Sequence, residues 1–64
     1  MKTYSVYTWF ERDRVNIELR CDQTEESILE FWDEEVYEII EDGFIDSKDI
    51  ENSTIDYAKG LGLI

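Results

Sequence analysis

The sequence predicts a single α+β domain over residues 1–64: an antiparallel β-hairpin packed against a long acidic helix, with a short C-terminal helix, in the order β-β-α-α. Three observations predict it. Residues 4–10 and 15–21 are rich in β-branched and aromatic types, and the second run alternates apolar and polar with period two. Residues 24–42 carry apolar side chains at helical spacing. Glycines at 43, 60 and 62 supply natural stops in the second half of the chain.

The first strand is Tyr4-Ser5-Val6-Tyr7-Thr8-Trp9-Phe10, and the second is Val15-Asn16-Ile17-Glu18-Leu19-Arg20-Cys21. Glu11-Arg12-Asp13-Arg14 forms the charged turn between them. Pairing Phe10 with Val15 also pairs Thr8 with Ile17, Val6 with Leu19 and Tyr4 with Cys21. Those eight residues share one mostly apolar face, and a slip of one residue would mix the two faces. The other face shows Ser5, Tyr7 and Trp9 opposite Arg20, Glu18 and Asn16. There Tyr7 and Trp9 either cover arginine stems or a third strand, or they contact a partner or a second copy.

The expected helix over 24–42 has Thr24 or Asp22 as N-cap and Gly43 as its stop. At about 100° per residue, Ile28, Leu29, Trp32, Val36, Ile39 and Ile40 fall within an arc of about 120°, a stripe facing the core. Phe44 and Ile45 then fold back, and residues 46–52 form an acidic loop anchored by Ile50. Ser53-Thr54-Ile55-Asp56 resembles a capping box with Asp in place of Glu, opening a helix over 54–60 with Ile55 and Ala58 inward. Two strands alone are marginal, so either a third short strand or edge pairing into a homodimer is expected to complete the sheet.

Composition narrows the function classes. The chain is 42% hydrophobic with nine aromatics, too apolar for a disordered segment. A domain of this size hides only about 60% of its unfolded surface, which leaves little room for a catalytic pocket. There is no histidine, and Cys21 is the single cysteine, so an internal disulfide and a Cys/His zinc site are excluded. No apolar run approaches the roughly 18 residues of a membrane span. Met1-Lys2-Thr3-Tyr4 does not read as a signal peptide, and a cytoplasmic protein is expected.

The net charge is −11, from 17 acids and 6 bases, which disfavours direct contact with nucleic acid or an anionic membrane. It is unevenly spread. Residues 1–21 carry four bases against three acids, a net +1, and residues 22–64 carry 14 acids against Lys48 and Lys59, a net −12. Glu26, Glu30, Glu34, Glu38 and Asp42 recur every four residues, with Asp33 and Glu41 beside them and no base from 22 to 42. On one helix each such like-charge pair costs about 0.2–0.5 kcal/mol. The row would climb about 6 Å per step, a spacing comparable to phosphates along a nucleic-acid strand. It reads either as a solvated face that keeps the protein soluble or as an anionic surface for a basic partner. Phe31 and Tyr37 are expected on the acidic side, which adds aromatic area to charge.

Catalytic readings fail on these residues. Paired carboxylates on one convex helix form no sugar cleft. Asp46, Asp49 and Glu51 lack the acid spacing and central glycine of an EF-hand loop. Cys21 has no histidine to activate it. Arg12, Arg14 and Arg20 with Tyr7 and Trp9 form a basic aromatic patch of the kind that stacks single strands, but the −12 half beside it would repel the strand.

Phe10-Glu11-Arg12-Asp13-Arg14, Phe31-Trp32-Asp33-Glu34-Glu35-Val36, Glu41-Asp42-Gly43-Phe44 and Asp56-Tyr57-Ala58-Lys59-Gly60-Leu61-Gly62-Leu63 together resemble small phage and prophage proteins of unassigned activity. In size and charge the chain is similar to acidic phage inhibitors of the anti-CRISPR and DNA-mimic kind. That resemblance implies a host-cell cytoplasmic setting and carries over no binding residue.

The expected function is therefore a non-enzymatic binding protein whose acidic helix engages a basic, nucleic-acid-binding surface of a partner protein. The partner-binding residues would be Glu26, Glu30, Asp33, Glu34, Tyr37, Glu38, Glu41 and Asp42. Tyr7, Trp9 and Phe31 are the expected dimer or partner contacts. The alternative is an assembly module that homodimerises through the outer face of the hairpin. No catalytic residue, metal ligand or cofactor site is expected.

Overall fold

The computed structural model describes residues 1–12 and 14–64; Asp13, in the expected charged turn, lies outside the described residues. Strands β1 (Tyr4–Glu11) and β2 (Arg14–Cys21) pair antiparallel, with Phe10 opposite Val15, Thr8 opposite Ile17, Val6 opposite Leu19 and Tyr4 opposite Cys21. This is the expected register, and it keeps the apolar residues of both strands on one face. The loop closes on the Glu11–Arg14 pair, and Arg12 takes φ +50°, the left-handed backbone favoured in two-residue hairpin loops.

The expected helix over 24–42 does not form. Its first half is a third strand, β3 (Ser27–Trp32), and its second half is a helix of eight residues, α1 (Glu34–Glu41). β3 pairs antiparallel with β2, which makes β2 the central strand of a three-stranded sheet in the order β1-β2-β3. The reason is non-local. A hairpin alone leaves the far edge of β2 unpaired, and β3 supplies Leu29 opposite Leu19 and Phe31 opposite Ile17. Ile17 and Leu19 are then fully enclosed, at 0% exposure. Ile28 is an extra residue in β3, at the register shift between Leu19 and Arg20. The split also removes Glu26 and Glu30 from the helix, which relieves part of the like-charge row.

Asp22 and Thr24, expected as N-caps, lie instead in the β2–β3 loop, where the Glu25 N–H donates to the Cys21 carbonyl and Glu25 takes φ +61°. The Asp22 carboxylate accepts from the Thr3 hydroxyl at 2.7 Å and the Ser5 hydroxyl at 2.6 Å, fixing the start of β1 to this loop. The strand turns into α1 at Asp33, with φ +57° and ψ −122°. α1 ends as predicted at Gly43. The Phe44 N–H reaches the Ile39 carbonyl and the Gly43 N–H the Ile40 carbonyl, with φ +84° at the glycine.

Helix α2 (Ile50–Gly60) starts four residues earlier than the capping-box pattern suggests. Asp49 is the cap, its carboxylate accepting from the Asn52 N–H, and Ser53 lies inside the helix with its hydroxyl donating to the Asp49 carbonyl. Thr54 and Ala58 are its buried residues, while Ile55 is half-buried.

Both helices cover one face of the sheet. Val15, Ile17, Phe31, Val36 and Ile45 form the core cluster, with Val6, Leu29, Ile39, Ile40, Ile50 and Tyr57 packed on it. Two aromatics change sides relative to the helical reading. Phe31, expected among exposed carboxylates, is buried because it faces inward beside Ile17. Trp32, expected in the core stripe, points to the opposite face and is 47% exposed. A strand alternates its side chains, so neighbours in sequence must part company.

Candidate functional site

The acidic residues meet an aromatic floor beside α1. A groove of about 290 Å³ is lined by Glu30, Glu35, Glu38 and Asp42 together with Phe31, Ile39, Phe44 and Tyr57. Glu35, Glu38 and Asp42 follow one another at i, i+3 and i+7, which places them on one side of α1 and its cap. Phe44 is set there by the turn at Gly43, and Tyr57 by the third turn of α2. The Tyr57 ring lies 5.8 Å from Phe31 and 5.6 Å from Phe44, so three rings run from the core to the surface. No lysine or arginine lines the groove. The ion pairs among the described residues, Arg14 with Asp33 at 3.5 Å and Arg20 with Glu18, involve none of its carboxylates.

The expected partner-binding residues divide over this geometry. Glu30, Glu38 and Asp42 come together at the groove. Glu34, Tyr37 and Glu41 are exposed on α1 but outside the lining, Tyr37 at 56% exposure. Asp33 is the N-cap and pairs with Arg14. Glu26 is in the β2–β3 loop, its carbonyl accepting from the Cys21 N–H. The continuous row of carboxylates is therefore broken at Asp33, because a strand and a helix do not share a period. Glu35, Phe44 and Tyr57 were missed. The i, i+3, i+7 acids would have pointed to Glu35, but no local signal places Tyr57 against Phe44.

The second surface is the outer face of the sheet. Trp9, Asn16 and Trp32 form one cross-strand row, and Tyr7, Glu18 and Glu30 the next. Trp9 and Trp32 meet edge to face at 5.9 Å over the central strand. Asn16 between them is 1% exposed, and its Oδ1 has no hydrogen-bond partner. Arg20 donates to Glu18 and lies over the Tyr7 ring at 4.8 Å from the centroid. The Glu18 carboxylate holds the Arg20 guanidinium above its ordinary pKa. Tyr7, Thr8, Trp9, Glu18, Arg20 and Glu30 line an open groove of about 430 Å³ on this side. Glu30 borders both grooves.

No protein-family model, curated protein or solved structure matches the chain. What the site can do therefore rests on its own chemistry. Among the described residues, no group of three or more acidic or cysteine side chains is arranged to hold a metal ion. The Cys21 thiol is buried, with the Gln23 Oε1 at 3.7 Å. No helix among the described residues is long and apolar enough to cross a membrane. A ring of unpaired carboxylates over exposed aromatic faces suits a cationic side chain: the carboxylates attract the charge and the rings take its stem or its face.

Proposed function

We propose that the chain is a non-enzymatic acidic binding protein of the phage-inhibitor type, which occupies a basic surface of a nucleic-acid-binding partner and competes there with phosphate. The observation that carries this reading is the groove of Glu30, Glu35, Glu38 and Asp42 around Phe44 and Tyr57, with no base in its lining. Lysine or arginine side chains of the partner enter between the carboxylates. Phe44, at 57% exposure, supplies apolar area that the partner covers. The rest of the negative charge steers the encounter and makes it sensitive to salt.

The test is affinity capture at low and high salt with the native chain and with Glu30→Gln/Glu38→Gln/Asp42→Asn. A nucleic-acid-binding protein held by the native chain at low salt, released at high salt and lost by the variant supports the reading. Equal capture by both chains contradicts it.

A second reading, an assembly module that pairs through the outer sheet face, is favoured by one observation. The Asn16 Oδ1 is enclosed under Trp9 and Trp32 without a donor. Self-association abolished by Trp9→Ala would support that reading over the first.

A further inference from the structure

The two edges of the sheet are not equally protected. β3 is six residues long, contains Glu30 and is interrupted by the extra residue Ile28. Short length, a charge and a bulge are the devices by which proteins prevent an edge from pairing with another chain. β1 has neither the short length nor the bulge, and its one charge, Glu11, stands at its end. The strand is eight residues long and keeps regular register with β2 throughout. Tyr4 to Phe10 is a run of seven uncharged residues in a chain that is 36% charged and has no proline.

The backbone and the side chains of β1 agree. Outside the β1–β2 ladder, the backbone hydrogen bond nearest to it among the described residues is that from the Asp22 N–H to the Thr3 carbonyl, one residue before the strand. Phe10 lies on the helix side yet is 78% exposed, and Tyr7 on the outer side is 45% exposed. Both stand along an edge with no neighbour beyond it among the described residues. Charge also selects this edge. A second copy is repelled by the −12 half of the chain, whereas residues 1–21 carry a net +1.

We infer that β1 pairs antiparallel with β1 of a second copy, joining two three-stranded sheets into one of six strands. A two-fold axis normal to the sheet keeps the helices of both copies on one side, so paired residue numbers must have an even sum. Full overlap of the uncharged run places Tyr7 opposite its own counterpart. Phe10 then meets the Tyr4 position and Trp9 the Ser5 position of the other copy. The exposed Phe10 ring gains an aromatic cross-strand neighbour, and the outer faces of the two copies become continuous. The pairing is independent of the acidic groove, which lies beyond β3.

The test combines sedimentation over a concentration series with amide exchange measured by NMR on the full chain. The expected result is a monomer–dimer equilibrium in which alternate β1 amides between Tyr4 and Phe10 gain at least tenfold protection as the dimer fills. Tyr7→Lys, which sets two ammonium groups on Cβ atoms about 5 Å apart, should be monomeric with an unchanged circular dichroism spectrum. If that variant fails to fold, Thr8→Lys at the neighbouring exposed position takes its place. A native chain that stays monomeric to submillimolar concentration overturns the inference. So does a dimer that dissolves with Trp9→Ala but survives lysine on β1, or one that leaves the β1 amides unprotected.

Discussion

The ring of Phe44 lies 5.6 Å from that of Tyr57, joining the turn after α1 to the face of α2. This contact builds the outer floor of the acidic groove and places an exposed ring within reach of the Glu30, Glu38 and Asp42 carboxylates. Because Phe44 is 57% exposed, little of the fold depends on it. Phe44→Ala should change unfolding free energy by less than about 1 kcal/mol, yet weaken binding to the proposed basic partner at least about tenfold. Denaturation and calorimetry measured on the same variant separate the two effects. A large loss of stability would show that Phe44 is a core residue instead.

The strand at 27–32 makes a pair of opposite forecasts for adjacent aromatics. Phe31 is buried on the core side, so Phe31→Ala should cost about 3–5 kcal/mol. Trp32 is half-exposed and touches Trp9, so Trp32→Ala should cost no more than about 1.5 kcal/mol. A continuous helix over 24–42 would reverse the order, because Trp32 would then sit in the core stripe. Urea denaturation of the two variants decides between them.

Asp33 holds φ +57° and ψ −122°, backbone that a glycine adopts far more easily. Its ion pair with Arg14 is at the surface, with both side chains about half or more exposed, and contributes little. Asp33→Gly should therefore stabilise the fold by about 1 kcal/mol. A clear loss of stability would mean that the Arg14 contact outweighs the strain.

Asp22 gives a pH signature. Hydrogen bonds from the Ser5 and Thr3 hydroxyls hold its carboxyl below the usual value. A depressed folded pKa means the charged form is favoured in the native state. The contribution is complete above the unfolded value of about 3.9 and is lost as pH falls through the folded one. In Thr3→Ala/Ser5→Ala, the change in melting temperature between neutral pH and that acidic window should be smaller than in the native chain. Parallel pH profiles for the two chains would contradict the assignment. The comparison also cancels the general relief of repulsion as the other acids protonate.

Sequence legibility followed the range of the deciding contacts. The face that β1 shares with β2 was readable because a one-residue slip would take Val6 and Phe10 off the face of Val15, Ile17 and Leu19. The stop at Gly43 was readable because a left-handed backbone there needs glycine. Residues 27–32 were not, since Ile28, Leu29 and Trp32 suit a helical stripe as well as a strand. What settles them is the open edge of β2, whose paired residues lie seven to sixteen positions back in the sequence. The candidate site inherited that error. Glu30, Glu38 and Asp42 were selected for a shared helix and meet instead across the junction of β3 and α1.

The groove between β3, α1 and α2 is proposed to receive cationic side chains. The most direct test of this proposal is an NMR titration of the native chain with a short lysine- and arginine-rich peptide. Saturable shifts are expected, concentrated on Glu30, Glu35, Glu38, Asp42 and the rings of Phe44 and Tyr57, suppressed by salt and absent in Glu30→Gln/Glu38→Gln/Asp42→Asn. Shifts spread equally over Glu25, Asp46, Glu51 and Asp56, with the Phe44 and Tyr57 rings unmoved, would contradict it and reduce the groove to one part of a uniformly solvated acidic surface.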